Sequence, residues 1–110
     1  MKPFMFLIKG VPLPTNQNYE IVSSAHVQIW IMDNKVQSAQ SRAFEYLKSH
    51  LWEPTKIEYA FVISPEHLAY LHKSEVLLYQ KALQNQIAAE FVTYPKNENQ
   101  SVDPVTFERQ

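Results

Sequence analysis

Four histidines, eleven acidic side chains and no cysteine bound the chemistry open to this chain. A zinc-bearing helix needs histidines about three or four residues apart, so that both imidazoles leave one face. His67 and His72 miss that spacing. His72 and Glu75 meet it, but a helix break expected at Ser74 falls between them. His50 lies at an expected helix end, where a cation is mildly favourable. Surface or capping roles account for these three, and neither metal nor cofactor is assigned.

His26 is placed differently. It shares a strand face with Gln28 and Trp30, and Glu58 projects from another strand. A carboxylate facing an imidazole is a general-base arrangement. On a solvated sheet the same pair is an ordinary cross-strand charge pair, which is the preferred reading. Ser23, Ser24, Ser64 and Ser74 lack the flanking glycines of a nucleophile elbow. Ser64 and Ser74 are read as helix caps. No catalytic residue is assigned.

The elements that must position these groups follow from hydrophobic spacing. Residues 3–9 form a strand that is apolar on both faces, with Phe4, Phe6 and Ile8 opposite Met5 and Leu7. Gly10 to Tyr19 is a long connector rich in Pro and Asn. Residues 24–32 alternate strictly, with Ala25, Val27, Ile29 and Ile31 opposite His26, Gln28, Trp30 and Met32. A helix is expected from Lys35 to about His50, capped by Asn34 with Gln37 completing a capping box. Its stripe is Val36, Ala39, Ala43, Leu47 and Leu51, broadened by Phe44. Residues 55–63 form a third strand, with Ile57, Tyr59, Phe61 and Ile63 on one face and Glu58, Ala60 and Val62 on the other. Ser64-Pro65-Glu66 starts a second helix. Ser74 recaps a further segment carrying Leu77, Leu78, Ala82 and Leu83. Residues 88–94 form a fourth strand, with Phe91 and Thr93 opposite Val92 and Tyr94.

The order β-β-α-β-α(α)-β describes an α+β domain. A strand–helix–strand step with short connections favours a parallel pair. The expectation is therefore a four-stranded mixed sheet with its helices packed on one face. Residues 1–95 make the single domain. Residues 96–110 are a polar tail, flexible or docked on a sheet edge through Val105 and Phe107.

Composition excludes several function classes. One glycine, Gly10, rules out Gly-rich phosphate loops. The absence of cysteine rules out disulfide scaffolds, thiolate zinc sites and cysteine nucleophiles. A formal net charge of −1 gives no general pull on nucleic acid or anionic lipid. No apolar run approaches the roughly 20 residues of a membrane span. Phe4 to Ile8 is shorter than the apolar region of about 7–15 residues in a signal peptide. The expected setting is the cytoplasm, and the texture is that of a small bacterial protein.

What remains is a surface. If the helices cover the Val27 face of the sheet, the opposite face displays His26, Gln28, Trp30, Met32, Glu58 and Tyr94, too apolar to be left to water. Trp, Tyr and Met suit interface cores. The reading is a small non-enzymatic protein-binding module, homodimeric or bound to another protein. An antitoxin- or immunity-type blocker is its specialised form. The alternative is a small enzyme or ligand-binding protein with a pocket near His26, Glu58 and Trp30. Single-stranded RNA binding on the open sheet is a lesser alternative. It is disfavoured by the slightly acidic balance and by Glu58 where phosphates would approach.

Overall fold

A strand with no polar face needs neighbours on both sides and cover above and below. The first strand has them in the computed structural model, which describes residues 1–96. The strands are β1 (Lys2–Pro12), β2 (Val22–Asp33), β3 (Trp52–Val62) and β4 (Ile87–Pro95). The helices are α1 (Val36–Ser49), α2 (Pro65–Leu68) and α3 (Lys73–Asn85). They form one α+β unit around a four-stranded sheet of order β3-β1-β2-β4. The expected tail, with Val105 and Phe107, lies outside the described residues except for Lys96.

Every adjacent pair of strands is antiparallel, so the sheet is not mixed. The α1 crossover does return the chain in the direction of β2. However, β3 lands on the far side of β1, and β1 separates the two strands that run the same way. Residue chemistry agrees with this order. β1, apolar on both faces from Phe4 to Ile8, is interior, whereas β3 carries Pro54 and Lys56, which suit an edge.

The helices lie on both faces, not on one. On the first face, Ala39, Ala43 and Leu47 of α1 bury against Phe4, Phe6, Ile8, Val27, Ile29 and Ile31. The small alanines let this helix sit close to the sheet. On the second face, Leu78 and Ala82 of α3 bury Trp30 and Met32, with Met5 and Tyr79 packed alongside. The chain leaves α3 through Gln86, whose φ of 75° turns it directly into β4. Met32 N–H donates to Gln86 O at 2.9 Å. This short return holds α3 over the β2 and β4 side of the sheet.

The caps also differ from the sequence expectation. Asp33, not Asn34, organises the start of α1. Its Oδ1 accepts from the backbone N–H groups of Asn34 and Lys35, at 2.6 and 3.3 Å. Its Oδ2 accepts from Ser38 Oγ at 2.8 Å and Arg42 Nη1 at 3.0 Å. The Ser38 hydroxyl is the largest cause holding this carboxyl well below the usual range. Arg42 and the two backbone N–H groups add to it, against the opposing effect of burial. Ser64 caps α2, its side chain accepting from His67 N–H. The α3 cap is His72 rather than Ser74, and Glu75 Oε1 accepts from the His72 backbone N–H at 3.0 Å.

The long connector is tied down by Asn16. Its Nδ2 donates to Leu51 O at 3.0 Å and its Oδ1 accepts from Asn18 N–H at 2.8 Å. Gly10 is placed by packing. A Cβ there would meet Glu53 O of the neighbouring strand at 3.1 Å and Leu47 of α1 at 3.5 Å.

Candidate functional site

One inserted residue shapes the second face of the sheet. Leu7 of β1 pairs with Tyr59, but the next residue, Ile8, pairs with Ile57. Glu58 is therefore the extra residue of a β-bulge. A bulge resets the alternation of side chains and re-aims the residue it inserts. Ile57 stays on the α1 face. Tyr59 and Phe61 move to the opposite face beside Leu7 and Met5, so the expected shared face of Ile57, Tyr59 and Phe61 is broken. Ala60 and Val62 pair with Phe6 and Phe4 and lie on the α1 side.

The bulge also brings Glu58 to His26. The strands carrying them are not neighbours, and the carboxylate reaches across β1. Glu58 Oε1 lies 3.3 Å from His26 Nε2. Tyr94 Oη lies 3.1 Å from His26 Nδ1. The tyrosine and imidazole rings meet edge to face, with centroids 5.4 Å apart and planes at 90°. The result is a carboxylate–imidazole–phenol chain across the sheet. A neutral imidazole protonated on Nε2 satisfies both partners, donating to Glu58 and accepting from Tyr94. A base-and-orienter relay has the same order of groups. Here both ring nitrogens are engaged within the protein, and the phenol is the group at the end of the chain.

The other sequence-selected residues are placed apart from this chain. Trp30 is 0% exposed, beneath α3, with Tyr79 at a centroid distance of 6.0 Å. Its indole N–H donates to Gln28 Oε1 at 2.8 Å, so Gln28 satisfies a buried donor. Met32 is buried in the same cluster. Trp30 and Met32 therefore belong to the core and not to an open surface.

The open part of the face carries residues that sequence spacing had assigned to the core. Tyr59 is 56% exposed and Phe61 47%, with rings stacked at 6.0 Å and 13°. Val92 of β4, on the same face as His26, is also exposed. The one signal for a bulge was a charged Glu58 within an apolar run, and that signal does not specify a bulge.

Two clefts lie elsewhere, at the connector end of the sheet. One, of about 410 Å³, is lined by residues including Pro12, Pro14, Tyr19 and Lys96. The other, of about 390 Å³, is lined by residues including Asn16, His50 and Trp52. Neither has His26, Glu58 or Trp30 in its walls. Among the described residues, no three metal-ligating side chains of His, Asp or Glu converge. Nor is any described helix long and apolar enough to cross a membrane. Comparison of the chain with protein-family models, with curated proteins and with solved structures finds no match.

Proposed function

We propose that this protein is a non-enzymatic protein-binding module, acting through the half of the second sheet face that α3 leaves open. The observation that carries the reading is the exposed, stacked pair Tyr59 and Phe61 on an edge strand. Large aromatic side chains left half in water are favoured at interface cores, where they bury much area for few rotatable bonds.

The test is a Tyr59→Ser/Phe61→Ser double variant, immobilised beside the wild type and exposed to a lysate from the source cell. The expected result is a specific protein held by wild type and lost by the variant, at an unchanged melting temperature. Equal capture by both proteins, with the variant folded, overturns the reading.

A further inference from the structure

We infer that two copies of this chain join through antiparallel pairing of β3 with β3, about a two-fold axis at Ala60, making one eight-stranded sheet. The inference rests on the protein-binding reading and names its occupant as a second copy.

The first argument is the edge itself. Among the described residues no strand pairs with the outer side of β3. Ile63 N–H donates inward, to Pro3 O at 2.9 Å. Backbone groups alternate along a strand, so those of Val62 and Ala60 point outward. Natural edges are blunted by charge, proline or bulges. On β3 those devices are Pro54, Lys56 and the irregular pairing at Thr55 and Glu58, all before Tyr59. The segment from Tyr59 to Val62 has none. The opposite edge, β4, carries Glu90 mid-strand and ends at Pro95.

The second argument is self-complementarity. With Ala60 opposite its own copy, Tyr59 of each chain faces Phe61 of the other. Two cross-strand aromatic pairs then form on the open face, joining the stacked pairs already present. Such pairs are favoured directly across an antiparallel ladder. Ala60 points to the other face, and its single methyl leaves the axis uncrowded. Competing registers fare worse. An axis at Glu58 sets like charges opposite each other. An axis at Tyr59 sets Phe61 against Ile57, whose side chain the bulge has turned to the other face. An axis at Phe61 sets Tyr59 against Ile63, beyond the end of β3. An unrelated strand would have to bring its own matching aromatics, whereas a second copy carries them in register.

The experiment uses the absence of native cysteine. In a hydrogen-bonded antiparallel pair the facing Cα atoms are about 5.5 Å apart. The facing Cβ atoms there are about 5.5 Å apart, wider than the roughly 3.5–4.5 Å of a relaxed disulfide. Full-length Ala60→Cys should therefore form a covalent dimer with a short, zero- to two-carbon thiol-specific cross-linker. Val62→Cys should not, because its two copies would stand four residues out of register, about 13 Å along the strand. Light scattering across micromolar concentrations should give wild type twice the 12.9 kDa chain mass, and the Tyr59→Ser/Phe61→Ser variant a single mass. Wild type that is monomeric throughout overturns the inference, as does a dimer that Ala60→Cys fails to trap or Val62→Cys traps equally. Monomeric wild type whose partner capture still depends on Tyr59 and Phe61 would overturn the second copy as occupant and leave the protein-binding reading standing.

Discussion

The two faces of this sheet are finished differently. On the α1 face a helix with an alanine-rich stripe packs over β1, β2 and β3 and buries the sheet's centre, leaving Ala60 and Val62 exposed towards the β3 edge. On the other face α3 covers only the Trp30 end. Its position is set by the tight return at Gln86 into β4, so the β3 side, with Tyr59 and Phe61, is left bare. Aromatic residues on one face of one sheet thus have opposite roles. Trp30 is a core residue with a satisfied indole N–H, and Tyr59 and Phe61 are half-exposed surface residues. The difference lies in what the connection lets the helix reach, not in residue type.

The largest effect should come from the covered end. Trp30→Ala removes a fully buried ring and leaves Gln28 without its donor, so the expected loss is about 3–5 kcal/mol of stability. Chemical denaturation measures it. A loss below about 0.5 kcal/mol, the range of ordinary surface substitutions, would mean that the two ends of the face do not differ as described.

A smaller effect tests how tightly the α1 face is closed. Gly10→Ala places a methyl 3.1 Å from a backbone oxygen of β3 and against Leu47. The expected cost is about 1–3 kcal/mol, the range for overpacking a filled site. The melting temperature should fall accordingly. An unchanged value would show slack between the helix and the strand ends.

The smallest effect is confined to acid. The carboxyl of Asp33 is held below its ordinary value of 3.8, so the folded state keeps it charged where the unfolded chain protonates it. Its stabilising contribution is complete above that ordinary value. It is lost progressively as the pH falls below 3.8 toward the depressed native value. Asp33→Asn should lower stability at neutral pH and flatten the decline of melting temperature in acid. Parallel pH curves for wild type and variant would remove Asp33 as the anchor of α1.

Much of the fold was legible in local spacing. The alternation of β2, the double-sided apolarity of β1 and the Ala39-Ala43-Leu47 stripe each name a buried face without reference to other elements. Alternation paired Met5 with Leu7 and Val92 with Tyr94 on one side of their strands, and the packing of β1 and β4 on β2 decided that this side is shared with His26. Glu58 beside His26 was legible as a possibility, but its route across β1 was not. Tyr59 and Phe61 were misplaced because a period-two reading assumes unbroken pairing, and one inserted residue reverses it from that point on.

The sequence by itself determined the elements, the core of the α1 face and the absence of phosphate-loop and thiol chemistry. Those depend on residue type and on spacing within a few residues. The tertiary structure decided strand order, the bulge at Glu58, which helix covers which face and how much of it. Those depend on contacts between segments far apart in the chain. A strand's neighbour, and the reach of a helix tied by the single residue Gln86, are set by that global packing. The exposed aromatic edge is a product of that second level.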